Sequence, residues 1–347
     1  MKATFFKHTL QFKQASGTSR GVLTYKDTWF IELENNAFKG IGECGMFKGL
    51  SIDHRDDFEE TLRWACQNIH LGLDALLGQL VAFPSIQFGL EMAFRSLNQK
   101  SPFELFPSEF TKGQDSIPIN GLIWMGESSF MKQQIKDKLE AGFSCIKLKI
   151  GALNFDKELA LLKSIRHEFD AQTIEIRVDA NGAFKPREAL EKLKRLSEFN
   201  LHSIEQPIKQ GQLQEMAQLC LDTPLPIALD EELIGVFSVT NKQVLLQTIK
   251  PQYIILKPTL VGGFKGSHEW IDVAESHNIG WWVTSALESN IGLNAIAQWT
   301  YTLKNSLPQG LGTGGLFTNN IQAPLEVNSG RLFYNLKTKW NLKFNYL

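Results

Sequence analysis

Three carboxylates follow short apolar segments of the chain at nearly equal intervals. Asp179 ends the segment IEIRVD, Glu205 ends HSIE and Asp230 ends PIALD, and the intervals are 26 and 25 residues. Carboxylate oxygens in this number, with no Cys or His beside them, are typical of a Mg²⁺ site, with Mn²⁺ as an alternative. We therefore predict that the three side chains share one metal ion, because without a cation they would repel one another.

Lysines occupy the same kind of position on two further apolar segments. Lys147 and Lys149 stand two residues apart in CIKLKIG, so in a strand both point to one face, and Lys257 ends YIILK. A lysine acts as a base only when it is neutral, and the neighbouring cation Lys147 favours the neutral form of Lys149. Two lysines facing a metal site indicate proton abstraction next to a carboxylate, because the cations would stabilise the resulting enediolate.

Polar residues flank the three carboxylates in the sequence. Arg177 and Asn181 lie on either side of Asp179, Gln206 follows Glu205, and Glu231 follows Asp230. Metal ligands are commonly oriented by hydrogen bonds from such neighbours. We predict this role for Arg177, Asn181, Gln206 and Glu231.

The spacing of the acids and lysines indicates which strands and helices must carry them. From about residue 116, eight strand-like segments alternate with helical ones, such as FDKELALLKSIRHEF and KPREALEKLKRLSEF. A strand-to-strand interval near 25 residues is typical of a parallel β/α barrel, in which active sites gather at the carboxyl ends of the strands. Residues 116–320 are therefore predicted to form an α/β barrel, with the acids and lysines at its mouth.

The segments on either side of the barrel have a different pattern. In residues 1–115, strand-like segments such as GVLTYKDTWFIELEN precede the helical segments at 54–70 and 84–100 without alternation, which indicates a separate α+β unit. A β-hairpin turn is predicted at 34–36. Residues 321–347 again read as strands and are predicted to return and pack on the first unit. No long linker separates the units, so we expect a firm interface between them.

Composition limits the classes of partner. The chain has 347 residues, 43% of them hydrophobic, and a net charge of −1, which gives no electrostatic reason to expect nucleic acid or an anionic membrane as partner. Its apolar segments are too short to cross a bilayer, and its first ten residues lack a signal-peptide pattern. Four scattered cysteines predict reduced thiols and a cytoplasmic location. The sequence leaves the oligomeric state open.

Taken together, the motifs KLK, DAN, EQP, DEE and ILKP resemble the enolase superfamily, in its muconate-lactonizing-enzyme subgroup. The resemblance covers essentially the whole chain, including SALESNIGL. It implies a modified TIM barrel, (β/α)₇β, with an α+β capping domain, and a Mg²⁺-assisted enediolate formed by a lysine base. By this resemblance Lys149 is the base, Lys257 stabilises the enediolate from the opposite face, and Lys147 sets the local charge balance.

Within the subgroup, the segments GTSRGVLTYKDTWFIEL, KGIGECGMFKGLSID and GLGTGG are similar to members that dehydrate 2-succinyl-6-hydroxy-2,4-cyclohexadiene-1-carboxylate in menaquinone biosynthesis. The resemblance implies a lyase with a small carboxylate substrate. It places substrate-binding loops at 17–20 and 47–51, with Ser19 and Arg20 as candidate contacts. Ser285 and Gly312 are the candidates for holding the succinyl tail.

Several other activities stay open at this point. Dipeptide epimerases, N-acylamino acid racemases and muconate cycloisomerases need the same lysines and metal. Epimerases typically carry Asp-x-Asp where this chain has GLGTGG, which argues against an ammonium-bearing substrate. Acid-sugar dehydration usually needs a late His–Asp pair, and no histidine follows His277. A Schiff-base aldolase would not require three carboxylates, and a non-catalytic binding barrel would leave the acid–base–metal set without a role.

Overall fold

A computed structural model of the chain describes residues 1–18, 21–35, 38–97, 99, 101–124, 126–152 and 154–342. Its first unit is an antiparallel sheet covered by helices, as the strand and helix segments predict. The strands, in spatial order, are β1 (Lys2–Thr18), β2 (Gly21–Asn35) and β3 (Phe38–Cys44). The helices are α1 (Phe58–Gln67), α2 (Leu73–Gln79) and α3 (Pro84–Leu97).

Helix α3 is buried on nearly all sides because it lies between the sheet and the second unit. Glycines on β3 permit its close approach: a Cβ on Gly42 would lie 1.8 Å from the carbonyl oxygen of Gly89 on α3. The helix predicted at 54–70 begins only at Phe58, and α2 was not predicted. The predicted hairpin turn at 34–36 includes a residue outside the described part of the chain.

Seven parallel strands form the wall of the second unit. They are β5 (Gly121–Ile123), β6 (Cys145–Lys149), β7 (Glu175–Asp179), β8 (Ser203–Glu205), β9 (Ile227–Leu229), β10 (Tyr253–Leu256) and β11 (Gly280–Val283), and they neighbour one another in chain order. Gln309 and Gly310 close the ring, through parallel bridges to Ile119 and Thr284. The predicted eighth strand is thus present as bridges, and the (β/α)₇β barrel is confirmed.

The helices that follow the strands cover the outside of the barrel. They are α4 (Ser128–Glu140), α5 (Phe155–Glu168), α6 (Pro186–Ser197), α7 (Leu213–Asp222), α8 (Val239–Ile249), α9 (Pro258–Val261), α10 (Gly263–Ser276) and α11 (Asn290–Thr302). Local sequence fixes where some begin. The Asn154 side chain accepts a hydrogen bond from the backbone of Asp156 at 3.0 Å and so caps α5, and Pro186 opens α6.

The chain ends in a small antiparallel sheet. Strand β13 (Arg331–Tyr334) pairs with both β12 (Leu325–Asn328) and β4 (Ser116–Pro118), and β4 directly precedes β5 in the chain. Beyond them the Trp340 ring stacks on Phe103, with centroids 4.1 Å apart, in the segment that connects the first unit to the barrel. The domain limits at residues 115 and 320 remain predictions. Among the described residues, no helix has the length and apolar character needed to span a bilayer.

The two larger units share one core and a polar interface. Phe30, Phe88 and Met92 of the first unit belong to the same buried hydrophobic cluster as the barrel. Glu91 on α3 reaches across to the start of α10, where it accepts hydrogen bonds from the backbone N–H groups of Phe264 and Lys265. A carboxylate at a helix N-terminus satisfies backbone donors that otherwise lack partners.

The Glu91 contact predicts a pH-dependent stability. Burial raises the pKa of Glu91 to about 7, although the two backbone donors and the charges of Arg95 and Lys265 oppose the rise. In an unfolded chain the pKa is about 4.3. The folded state therefore binds this proton more tightly than the unfolded chain does. The resulting contribution of Glu91 to the free energy of unfolding is complete below about pH 4 and is lost as the pH rises toward 7.

Comparison with Glu91→Gln isolates this effect. We expect the free energy of unfolding of the wild type to fall by about 2–3 kcal/mol relative to the variant between about pH 5 and pH 8. Urea denaturation of both proteins at the two pH values measures this difference. A difference that does not change with pH would contradict the assignment, because the other titrating groups are common to both proteins.

Candidate active site

The three predicted metal ligands meet at the carboxyl ends of adjacent strands. Asp179 ends β7, Glu205 ends β8, and Asp230 directly follows β9. Asp179 is paired in register with Glu205, and Glu205 with Ala228 on β9. All three carboxylates are buried, with at most 2% of each residue exposed. Strand alternation explains this, because every second side chain of a barrel strand points to the interior.

The predicted lysines lie on both sides of these acids. Lys147 Nζ is 2.9 Å from Asp179 Oδ2 and also donates to Glu205. Lys149 Nζ lies 2.9 Å from the same Asp179 oxygen. Lys257, which follows β10, pairs with Asp230 and lies 3.9 Å from Glu205 Oε1. The structure therefore brings together the six side chains that the sequence singled out.

Burial and charge act against each other in this cluster. Burial disfavours the charged form of Asp179, but Lys147 and Lys149 outweigh it and hold the pKa of that carboxyl well below its usual value. Burial and the charges of Asp179 and Asp230 raise the pKa of Glu205 well above its usual value. Burial also disfavours the ammonium forms of Lys147 and Lys257, yet the acids raise the pKa of both. Glu205 is thus the carboxylate whose burial and neighbouring negative charges the lysines do not offset.

The donor set fits a hard divalent cation. Glu205 Oε1 is buried and accepts no hydrogen bond from the described residues, so one acid oxygen in the cluster is available to a ligand. Within the described part of the chain, no three Asp, Glu, His or Cys side chains converge at metal-ligand spacing, and the lysine ammonium groups bridge the acids instead. The chemistry of three buried carboxylates nevertheless favours Mg²⁺ over softer metals.

Two of the predicted orienting residues, Asn181 and Gln206, bond to the cluster, and a third, Glu231, bonds to Asn181. Asn181 has a left-handed backbone (φ 45°), which allows its N–H to donate to Asp179 Oδ1 at 3.0 Å. Its side chain accepts from Lys149 at 2.6 Å and donates to Glu231 at 3.1 Å. Gln206, also left-handed, accepts from the backbone N–H of Asp230 at 3.3 Å. These bonds fix the turns that carry the acids.

The prediction for Arg177 needs correction. Its guanidinium donates to Glu175 Oε1 at 2.7 Å and to the carbonyl oxygen of Pro308 at 2.9 Å, and it lies 4.2 Å from the centre of the Trp282 ring. None of its hydrogen bonds within the described residues goes to the three acids. Arg177 points into the barrel like Asp179, but two residues earlier on β7, so it belongs to the layer below and closes the barrel floor.

A cavity of about 290 Å³ lies at the barrel mouth, and its wall combines charged and apolar residues. The charged residues that line it are Lys138, Lys147, Lys149 and Lys257, and Asn181 lines it as well. The rest of the wall is uncharged and mostly apolar, and it includes Phe47, Leu50, Leu122, Trp124, Ser285, Ala286, Leu287, Gly312, Thr313 and Leu316. Such a cavity suits a small ring compound with an anionic substituent.

The candidate substrate contacts divide into two groups. Ser285 and Gly312 line the cavity, and so do Phe47 and Leu50 from the predicted loop at 47–51. Ser285 also donates to the buried Glu288 at 2.6 Å. Ser19 and Arg20 lie outside the described residues. Whether any of these groups binds substrate remains a prediction.

Sequence reasoning missed the polar residues behind the cavity wall. Glu43 on β3 accepts hydrogen bonds from the backbone N–H groups of Ser289 and Gly292, each at 2.8 Å, and so holds the start of α11. Glu288 accepts from Thr259 and Ser285. A glutamate inside the otherwise apolar segment GIGEC was the one available signal for Glu43, because a buried carboxylate needs partners.

Comparison with known proteins places the chain in a family. Residues 131–335 match the family model described as Enolase C-terminal domain-like. The o-succinylbenzoate synthase of Desulfotalea psychrophila (strain LSv54 / DSM 12343) is 47% identical over 96% of this chain and 98% of that protein. The chain belongs to the enolase superfamily and is an enzyme of that group.

Solved structures agree with this assignment. The crystal structure of MenC from Desulfotalea psychrophila LSv54 has a TM-score of 0.87 and 45% identity, covering 96% of this chain and 99% of that one. A dipeptide epimerase from Enterococcus faecalis V583, solved with Mg and the dipeptide L-Leu-L-Tyr, has a TM-score of 0.84 at 19% identity, covering 96% of each chain. At that identity the second likeness shows the shared fold.

Proposed function

We propose that this chain is an o-succinylbenzoate synthase. The reaction would be the dehydration of 2-succinyl-6-hydroxy-2,4-cyclohexadiene-1-carboxylate to 2-succinylbenzoate, a step of menaquinone biosynthesis. The observation that carries the proposal is the placement of Lys149 and Lys257 on either side of three buried carboxylates, in one cavity with an apolar wall. The 47% identity to an o-succinylbenzoate synthase over nearly the whole chain supports this particular substrate.

In the proposed mechanism Lys149 acts first as base and then as acid. Neutral Lys149 Nζ takes the proton from the ring carbon that bears the carboxylate, leaving an enediolate. The electron pair then returns to form the ring double bond as the carbon–oxygen bond at the neighbouring carbon breaks. The Lys149 ammonium gives its proton to the departing hydroxyl, so water leaves, the ring becomes aromatic and the lysine is again neutral.

Lys257, together with the metal site of the three acids, would stabilise the negative charge of the enediolate. Lys257 lies on the far side of the acid cluster from Lys149, so its ammonium would face the opposite side of the ring and stabilise the enediolate charge. Asp179, Glu205 and Asp230 are the residues that would hold Mg²⁺. When bound, Mg²⁺ would offset the two negative charges that develop on the substrate carboxylate oxygens.

The proposed metal requirement predicts a large effect of chelation. After EDTA treatment we expect aromatic product to form at a rate lower by on the order of 10³-fold, because a divalent ion contributes several kcal/mol to charge stabilisation. Added Mg²⁺ should restore the rate, and Mn²⁺ should do so in part. The ultraviolet absorbance of the aromatic product measures this.

A binding measurement tests the ligands separately from turnover. Because Mg²⁺ would bind the folded protein only, it should raise the Tm of the chelated wild type, whereas Glu205→Gln should show no such rise. Equal Tm shifts in both proteins would remove Glu205 from the ligand set. If no aromatic product forms with or without Mg²⁺, the dehydration proposal fails. Racemisation of an N-succinylamino acid by the same preparation would then identify a sister activity.

The proposed cellular setting is the cytoplasm, with a small carboxylate as partner. All four cysteines are free and buried, so none forms a disulfide in the structure. Reduced thiols in such a number are typical of proteins from a reducing compartment.

A further inference from the structure

Lys26 is a buried cation of the first unit whose hydrogen bonds cross to the barrel. It lies on β2, is 6% exposed, and donates from Nζ to the carbonyl oxygens of Ala286 at 3.1 Å and Leu287 at 2.8 Å. These acceptors are 260 and 261 residues away in the chain. A buried ammonium is costly unless its donors are satisfied, so the two carbonyl bonds bind this lysine firmly to the loop that follows β11.

The loop that Lys26 holds has a strained backbone. Leu287 has φ +60°, in the left-handed region that leucine rarely adopts. Such a conformation persists only where the surroundings fix it. Lys26 holds the carbonyl of Leu287 and Glu43 holds the N–H of Ser289, so the first unit fixes the loop on both sides of Glu288.

This loop is part of the cavity wall, whereas Lys26 itself is not. Ser285, Ala286 and Leu287 all line the cavity that contains the catalytic lysines. On the other side of Lys26, its Nζ lies 6.0 Å from the centre of the Phe47 ring, and Phe47 also lines the cavity. One ammonium group therefore stands behind two apolar segments of the wall, one from each unit.

We propose that Lys26 is a positioning residue that shapes the apolar wall through Leu287 and Phe47 and thereby sets the affinity for the non-reacting part of the substrate. The inference rests on the proposed function for the identity of that substrate. Lys26 touches neither the acid cluster nor the reacting lysines, so it acts on substrate binding rather than on the proton transfers.

Substitution by methionine removes the charge and keeps most of the volume. In Lys26→Met two buried carbonyls lose their donor, so the loop moves to reach water and Leu287 leaves its place in the wall. The KM for the cyclohexadiene substrate should rise at least about tenfold while kcat stays within about threefold, because binding common to ground and transition states is lost. Lys26→Arg, which keeps buried donors, should bring KM back to within about threefold of the wild type.

Lys7→Met is the matched control. Lys7 lies on the neighbouring strand β1 and is 46% exposed, and its ion pair with Asp27, at 2.7 Å, lies within the first unit. An exposed ion pair of this kind contributes little, so its kinetic constants should match those of the wild type. A KM change in Lys7→Met equal to that in Lys26→Met would overturn the proposal.

A measurement without substrate separates this inference from the proposed function. Amide hydrogen exchange of residues 284–289 should be faster in Lys26→Met than in the wild type and unchanged in Lys7→Met. If the wild type does not turn over the cyclohexadiene substrate, the proposed function fails, but exchange still tests the hold on the loop. Unchanged exchange overturns the inference in either case.

The remaining outcomes are also decisive. Faster exchange with an unchanged KM in an active enzyme would make Lys26 a structural residue only and overturn its role in substrate affinity. If Lys26→Met does not fold, Lys26→Gln takes its place, since its amide can still donate to one carbonyl. The KM of Lys26→Gln should then lie above that of the wild type but less than about tenfold above it. A KM equal to that of the wild type would overturn the proposal.

Discussion

Lys149→Ala should lower kcat by on the order of 10⁴-fold while the protein remains folded. The reason is that in the proposed mechanism one group serves as both base and acid, and each role contributes about 10²–10⁴-fold in enzymes. Lys149 Nζ lies 2.9 Å from Asp179 and 2.6 Å from Asn181, so its position is fixed toward the acid cluster. Asp179 keeps a second partner, Lys147, at 2.9 Å, so the loss of Lys149 does not leave it unpaired. The rate of aromatic product formation measures the effect.

Lys149→Arg distinguishes proton transfer from charge. Arginine keeps the positive charge but is not deprotonated in proteins, so it cannot act as a base. We expect this variant to be as inactive as Lys149→Ala. Both variants should still show the rise in Tm with Mg²⁺ that we expect if the three acids bind the ion. Turnover near the wild-type rate in either variant would remove Lys149 from the role of base.

Lys257→Ala should lower kcat by about 10²–10³-fold, the loss typical of removing one group that stabilises developing negative charge. Lys257 pairs with the buried Asp230 and lies 3.9 Å from Glu205. Its removal takes positive charge from the face of the cavity opposite Lys149 and leaves Asp230 with less compensation. A single-turnover measurement of product absorbance, with Mg²⁺ in excess, separates this loss from weaker metal binding.

At this second position arginine should be tolerated in part. Lys257 is proposed to act by its charge, and the guanidinium keeps that charge. The kcat of Lys257→Arg should therefore be at least about tenfold higher than that of Lys257→Ala. The two arginine variants thus have opposite expectations, although the substitution is the same. Equal activities of Lys149→Arg and Lys257→Arg would contradict the division of the lysines into a base and an electrostatic partner.

Much of the barrel could be predicted from local patterns. The segments around β6 and β7 alternate between residues that face the helices and residues that face the interior, and strand geometry dictates that alternation. The same two-residue period placed Lys147 and Lys149 on one face, where the structure has them. The eighth strand was also predicted, but its extent was not: Gln309 and Gly310 form only isolated bridges, in a segment with no run of β-branched residues.

The limits of local reasoning are clear at Arg177. Its sequence neighbourhood resembles that of Asn181, and both flank Asp179. Two residues, however, correspond to roughly 6.5 Å along a strand, and this is enough to move a side chain from one layer of the barrel interior to the layer below. The long guanidinium then finds Glu175 and the ring of Trp282, partners that the spacing along the chain does not reveal.

The amino-acid sequence by itself determined the barrel and the residues at its mouth, because strand period and the strand–helix interval are local properties that place every second side chain inside. Tertiary structure alone decided how the wall of the cavity is held. Lys26 reaches carbonyls 260 residues away, Glu43 reaches the start of α11, and Leu287 takes a left-handed backbone between them. These contacts follow from the packing of one unit on another, and no periodicity in either unit encodes them.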